Sequence, residues 1–237
     1  MKNLIREVFT LKESQCNIIA DTQAGITAAK DSLKQNRQQL ETYIKTNPIF
    51  FHTFEPVPTP TEPLVAKLMA EAAEKANVGP MAAVAGVLAD LAVKDMLSAG
   101  CEVAVVENGG EISAVANVPI DVAVSAGDEP LSKRFGFRLT EFPIGVATSS
   151  GRFSHAFSFG DAEAATVFCK NAGLADAAAT AVCNVVKGED CQAAIQAGIS
   201  KALSIQGVEG VLILYKDFTG TAGKFPKIIK IDTFRNP

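Results

Sequence analysis

Three short stretches carry residue types that could do chemistry. In "ADAAATAVCN", Asp176 and Thr180 stand four apart, which on a helix puts a carboxylate and a hydroxyl on one face. Only alanines lie between them, so nothing bulky would exclude a hard cation such as Mg²⁺ that keeps open positions for phosphate oxygens and water. From these residues alone the favoured reading of Asp176 is a plain N-terminal cap on an alanine-rich core helix. In "VENGGEIS" an apolar run ends in Asn108-Gly109-Gly110 and a carboxylate follows at Glu111. Paired glycines let backbone approach a ligand and turn successive N–H groups toward an anion. Asn-Gly between apolar runs is also the strongest short hairpin signal, and the hairpin is the favoured reading. In "VATSSGRFSH" a strand-like lead-in stops at Thr148-Ser149-Ser150-Gly151. That density of donors suits phosphate or flavin-ring oxygens. His155, one of two histidines in the chain, could take a proton there or be structural. No P-loop, G-x-S-x-G or H-E-x-x-H motif is present.

These residues need a scaffold, and the hydrophobic pattern outlines one. "NLIREVFTL" and "QCNIIA" read as strands around a turn at Lys12–Ser14. Asp21 or Thr22 can cap a helix to about Thr46, with its apolar stripe at Ile26, Ala29, Leu33, Leu40 and Ile44. Five prolines between Pro48 and Pro63 argue against helix and for a stiff connector. Helix resumes near Leu64. From Met81 to Ala89 no residue is polar, so that part should be buried all round, while Asp90, Lys94 and Ser98 should turn to water. Strands follow at "CEVAVVE", "ISAVANV", "IDVAVSA", "FGFRL" and "IGVAT", and Phe157–Phe168 is strand-like. Two alanine-rich helices come next, about Ala175–Val186 and Glu189–Ile205, before the closing strands "GVLILYKD" and "FPKIIKIDTF".

Strands come in consecutive runs instead of alternating with helices, which predicts an α+β fold with antiparallel sheets. The tempo of two strands, helices and two strands occurs twice, loosely, and hints at duplication. One domain over 1–237 is expected, with a β-β-α unit at 1–47, a Pro-rich connector at 48–63 and the main core at 64–237.

Composition narrows the function. With 237 residues, 48% hydrophobic and 20% charged, a sizeable core is within reach. A net charge of −4 speaks against a general nucleic-acid binder. The apolar stretch Met81–Val93 is broken by Asp90 and too short to span a bilayer. The five scattered cysteines form no C-x-x-C pair, and the first residues lack the apolar core of a signal peptide, so a reduced cytoplasmic setting is expected.

Taken in chain order, "VGPMAAVAG", "VENGGEI", "VATSSGRFSHAFSFG" and "ADAAATAVCN" resemble the ApbE-like superfamily, most closely its branch found largely in anaerobic archaea and bacteria. The likeness runs over nearly the whole chain, including "LKES" and "PLSKRFGFRL". It implies a duplicated T-fold-like core, antiparallel sheets covered by helices. It also implies a flavin transferase-like activity, in which FAD is bound with Mg²⁺, its pyrophosphate cleaved and FMN attached to a protein hydroxyl. By resemblance Asn108, Gly109, Gly110 and Glu111, with Thr148, Ser149, Ser150 and Gly151, would line the flavin site. Asp176 and Thr180 would hold the metal, and His155 would be the general base. The chain departs from the pattern at Glu111, Ala147 and Ser154, where the branch usually has Asp, Cys and Gly. It also lacks the D-P-x-T-G segment that follows the histidine in the flavin transferases.

Three expectations of function follow. The first is a Mg²⁺-dependent enzyme that cleaves FAD. The second is a non-catalytic protein holding a small anionic ligand, in support of sulfide assimilation and homocysteine synthesis, a process with which the branch is associated. The third is a structural subunit whose alanine-rich helices build a homodimer. Neither a nucleic acid nor a membrane is an expected partner.

Overall fold

The computed structural model describes residues 4–123, 135–151 and 160–230. Its backbone is an eight-stranded antiparallel sheet, ordered β1-β2-β3-β4-β7-β8-β9-β10. The N-terminal hairpin is β1 (Ile5–Leu11) and β2 (Ser14–Ala20). It is followed by β3 (Ala104–Asn108) and β4 (Glu111–Val115), then β7 (Ile144–Ser149) and β8 (Ala164–Cys169). β9 (Val208–Tyr215) and β10 (Phe218–Gly223) complete the sheet. A three-stranded sheet of β5 (Ile120–Ala123), β6 (Phe135–Leu139) and β11 (Lys227–Lys230) is ordered β11-β6-β5.

The helices are α1 (Gln23–Thr46), α2 (Pro48–His52), α3 (Leu64–Ala76), α4 (Val84–Ser98), α5 (Ala172–Val185) and α6 (Cys191–Ser204). Each half of the large sheet is made as hairpin, helices, hairpin. In the first half β2 pairs with β3 across α1 to α4, and in the second β8 pairs with β9 across α5 and α6. The α+β antiparallel architecture read from the strand runs is therefore the one found.

Side chains alternate across the pleat, so the central strands feed two cores. Val106, Ala147, Val167 and Ile213 face the helices and meet Ala89, Ala92, Ala178 and Val182. Val105, Ile112, Val146 and Phe168 face the small sheet and meet Ile120, Phe137 and Leu139. Phe137 and Phe168 lock edge to face, with ring centroids 4.9 Å apart. The small side chains of α4 and α5 let those helices sit close to the sheet and to each other. A Cβ on Gly86 would lie 2.2 Å from the Ala172 carbonyl oxygen, so glycine is what the α4–α5 crossing requires. Thr22 caps α1, its Oγ1 accepting from the Gly25 N–H at 3.1 Å. Asp21 is not that cap: its carboxylate accepts from Glu102 N and Val103 N.

Three expectations need correcting. The Pro-rich stretch opens as helix α2, because Pro48 occupies the first helical position, where its missing N–H costs nothing. Its extended part begins only at Thr53. The Met81–Ala89 segment is not buried all round: Met81, Ala82, Val84 and Ala85 are half-buried and border a cavity. Asp90 does not turn to water like Lys94 and Ser98. Its carboxylate accepts from Ser113 Oγ at 2.7 Å, Ala172 N at 2.9 Å and Gly173 N at 2.8 Å. The strand expected over 157–168 is described from Ala164, and residues 157–159 lie outside the described residues. Among the described residues no single helix is long and apolar enough to cross a membrane, and Leu64–Ala76 with Pro80–Ser98 would do so only as a pair bent by 103°.

Candidate functional site

A cavity of about 960 Å³ opens where the ends of β3, β4 and β7 meet the first turn of α4 and one face of α5. Its volume lies at the upper end of the ~300–1,000 Å³ range of small-molecule sites. The β3–β4 hairpin forms one side. Asn108 pairs with Glu111, so Gly109 and Gly110 are the two loop residues, both with positive φ (73° and 121°). The hairpin favoured from sequence is thus present, and the same turn borders the cavity. The Gly109 N–H donates to Gln15 O at 3.2 Å. Asn108 is buried, and its side chain is engaged within the protein: Nδ2 donates to Ala85 O at 3.1 Å, and Oδ1 accepts from Cys16 Sγ at 3.4 Å. It ties the hairpin to the first turn of α4.

The end of β7 forms a second side. Thr148 borders the cavity and shares a hydrogen bond with Thr166, Oγ1 to Oγ1, at 2.9 Å. Ser150 also borders it. Ser149 alternates to the opposite face, where its buried Oγ has no hydrogen-bond partner among the described residues. The Gly151 N–H is spent on Ala162 O at 3.0 Å, so it is not a free donor. Of the four hydroxyl-turn residues, Thr148 and Ser150 reach the cavity and Ser149 and Gly151 do not. His155 lies outside the described residues.

Helix α5 supplies the floor. Asp176, Thr180 and Asn184 recur every fourth residue and all border the cavity. The i, i+4 spacing identified the first two, and one more step would have found Asn184. Asp176 Oδ2 accepts from the Gly86 N–H at 3.0 Å. Its carboxyl is nevertheless raised to about 7, because removal from water outweighs the lowering by the Gly86 and Ala85 N–H groups, with Asp90 adding to the rise. Glu111 is pushed well above the usual carboxylate range, first by burial and then by the nearby Asp176 charge. Two carboxyls that resist ionising side by side are a site that a cation would relieve.

Among the described residues no group of three or more His, Cys, Asp or Glu forms a closed metal cage. Asp176, Thr180 and Glu111 border the same cavity, and their oxygens are donor types that Mg²⁺ takes, an ion that usually uses one or two carboxylates and completes its shell with phosphate oxygens and water.

Sequence reasoning missed two features of the lining. Carboxylates dominate its charge: Glu13, Glu41, Glu55, Glu107, Glu111 and Asp176, against the guanidinium of Arg37. Arg37 is itself claimed, pairing with Glu13 and, at 2.8 Å, with Glu41. The other missed feature is an aromatic rim of Phe51, His52 and Phe54, contributed by α2 and the residues after it. The prolines drew attention to this segment as a connector and hid it as a wall.

The family described as AbpE bacteria matches residues 3–206. The chain belongs to that family. It is 40% identical over 225 residues to a UPF0280 protein of Methanopyrus kandleri, covering 93% of this chain and 91% of that one. It is 37% identical over 227 residues to a UPF0280 protein of Methanocaldococcus jannaschii, covering 94% and 92%. The chain also shares its fold with the flavinyl transferase ApbE of Pseudomonas stutzeri, TM-score 0.63 at 14% identity over 93% of this chain and 94% of that one. The ApbE protein of Thermotoga maritima aligns equally well, TM-score 0.63 at 14% identity over 98% of each chain. The motif-based assignment to the ApbE-like superfamily therefore holds, in family and in fold.

Proposed function

We propose that the cavity binds FAD, or a closely similar anionic flavin nucleotide, through a divalent cation held at Asp176 and Thr180, and that the protein cleaves the pyrophosphate of that ligand. The observation that carries the reading is the floor of the cavity: two carboxyls with raised proton affinity and a hydroxyl, in a lining whose charge is mostly negative. Such a surface repels a bare diphosphate and accepts one with its cation. The solved structures that share the fold include flavin transferases, which supports flavin over other nucleotides.

The cation, when bound, supplies charge neutralisation of the pyrophosphate and polarisation of its oxygens. The protein's own residues do the rest. The N-terminal turn of α4 holds Asp176 in place through Gly86 N. Thr148 and Ser150 border the cavity along one wall, and on the hairpin side Gly109 and Gly110 put no side chain of their own into it. Attack of water on one phosphorus would break the P–O–P link and give FMN and AMP, with His155 the candidate to receive the water's proton. The absence of D-P-x-T-G after His155 favours water over a protein hydroxyl as acceptor. It also supports a second reading, in which the flavin nucleotide is held without turnover.

Incubation with FAD and Mg²⁺, followed by chromatography for FMN and AMP, tests both. Product that disappears in Asp176→Ala supports cleavage. Binding by calorimetry without product supports the holding role. Neither binding nor product overturns the assignment.

A further inference from the structure

A second cavity, of about 180 Å³, lies at the other end of β7 from the candidate site. Ile144, the first residue of β7, borders it, whereas Ser150, just past the last, borders the larger cavity. At ~3.3 Å per residue the two positions are roughly 20 Å apart along the strand. The wall of the small cavity is largely aromatic. Phe142, Phe168 and Phe225 line it, and the last two stack on each other, with ring centroids 6.0 Å apart and planes at 27°. These rings are packed as walls. The gap they enclose has the size of one ring, since apolar cavities of ~150 Å³ take up benzene.

The rim is charged, and the backbone sets its charges. Phe168 pairs with Gly210 and Cys169 with Val208, so Glu209 is an extra residue, a bulge in β9. A bulge re-aims the side chain it carries, and Glu209 borders the cavity. The bulge is held from the β10 side. Lys224 N donates to Glu209 O at 2.7 Å, and a Cβ on Gly210 would lie 2.2 Å from Lys224 O, so only glycine lets the two strands approach there. Lys170, the first residue after β8, puts an ammonium on the same rim. Lys224 borders it too but is paired with Glu141. Among the described residues, the side chains of Lys170 and Glu209 make no hydrogen bond or ion pair. One uncommitted charge of each sign therefore stands at the edge of a ring-sized apolar gap.

We propose that this cavity binds a free α-amino acid with an apolar side chain of about one ring. The side chain enters the gap between Phe142, Phe168 and Phe225, the carboxylate meets Lys170 and the ammonium meets Glu209. The charge pattern selects the class. An apolar acid would set its carboxylate against Glu209 with no ammonium to offset it, and an apolar amine would leave Lys170 unmatched. A residue inside a peptide carries neither charge. Exposed ion pairs contribute modestly, about fivefold in affinity or less for each, so the apolar tail supplies the larger part. The site is separate from the candidate nucleotide cavity and does not depend on the reading of that cavity.

The test uses phenylalanine and three analogues that each lack one feature: hydrocinnamate without the ammonium, phenethylamine without the carboxylate and glycine without the ring. Each is titrated into the full chain, Lys170→Gln and Glu209→Gln by saturation-transfer NMR. Both substituted side chains sit on the exposed rim, and circular dichroism checks that the fold is kept. Phenylalanine should bind in the millimolar range or tighter, hydrocinnamate and phenethylamine severalfold more weakly, and glycine not at all. Lys170→Gln should weaken phenylalanine by about two- to fivefold and leave phenethylamine unchanged. Glu209→Gln should weaken phenylalanine similarly and leave hydrocinnamate unchanged. No binding of phenylalanine overturns the site. Hydrocinnamate or phenethylamine binding as tightly as phenylalanine overturns the choice of a zwitterion. Phenylalanine affinity equal to wild type in both variants places the ligand elsewhere and overturns the proposal.

Discussion

Asp90 on α4 caps α5, and Asp176 on α5 caps α4. The Asp90 carboxylate accepts from the first two N–H groups of α5, Ala172 and Gly173, and the Asp176 carboxylate accepts from Gly86 in the first turn of α4. Each helix N-terminus, with its partial positive charge, thus receives a carboxylate from the other helix. The exchange fixes the crossing of the two elements that make the cavity floor. Asp90 does not line the cavity of the candidate site, and its carboxylate holds three hydrogen bonds: Asp90→Ala should lower the unfolding free energy by about 2–3 kcal/mol through loss of charge-assisted hydrogen bonds. Urea denaturation checks it, and a midpoint equal to wild type would show the exchange to be incidental.

The crossing itself rests on Gly86. Adding a methyl group there places carbon 2.2 Å from Ala172 O, so α4 and α5 must part. Gly86→Ala should cost about 1–3 kcal/mol despite alanine's better helix propensity. Because the separation would also draw Asp176 from the Gly86 N–H, cation affinity should fall in the same variant, measurable with Mn²⁺ by electron paramagnetic resonance.

Local features of the fold were legible and distant ones were not. The apolar stripe and Thr22 cap of α1, the hairpin at Gly109-Gly110 and the i, i+4 pair on α5 all follow from periods of a few residues. The pairing of β5 with β6 was in reach as neighbouring runs, but β11 joins β6 from nearly ninety residues away, with Lys227 opposite Arg138, and no local period encodes that. Asp90 was misread because helical spacing alone groups it with Lys94 and Ser98. Only the arrival of α5 from a far part of the chain turns its position into an interior one. Glu111 and Asp176 were each visible as candidates. Their raised proton affinities were not, since these depend on burial and, for Glu111, on the nearness of Asp176. The Phe51 and Phe54 rim was hidden for a similar reason: prolines mark where a chain is stiff, not what it lines.

The raised carboxyls at Asp176 and Glu111 set a direction for pH dependence. Between the ordinary Asp value near 3.8 and the folded value of about 7 for Asp176, the folded chain holds a proton that the unfolded chain has released. Stability of the cation-free protein therefore falls as pH rises through that window and levels off above it. Glu111 and Asp90, also raised, act in the same direction. Melting temperatures taken from pH 5 to 8.5 should decline for wild type and decline less for Asp176→Asn. A rise with pH would contradict the burial of the pair.

The thiols should report the packing of the same scaffold. Cys16, Cys101, Cys169 and Cys183 are buried and Cys191 is half-exposed. Burial pushes the Cys16 thiol to about 11 and the Cys169 thiol to about 12, which leaves almost no thiolate at neutral pH. One equivalent of Ellman's reagent should react quickly with the native protein, and that equivalent should vanish in Cys191→Ser. Fast reaction of two or more thiols would mean that the helix-facing core opens readily.

The sharpest test of the site is its need for a cation. Six carboxylates and one already paired guanidinium among the described lining make the bare cavity hostile to a diphosphate. Flavin nucleotide binding should therefore be strong with millimolar Mg²⁺ and fall by at least tenfold in excess chelator, and Asp176→Ala should erase the difference between the two conditions. Thr180→Val, which keeps shape and removes the hydroxyl, should weaken the cation-dependent part by a few fold, on the order of 1 kcal/mol. Raising the pH from 6 to 8 should increase cation affinity, because Mg²⁺ must displace the proton held near pH 7 at Asp176. Calorimetry with FAD at the two pH values, with and without chelator, separates these terms. Cation-independent binding would move the ligand's phosphates away from the α5 floor.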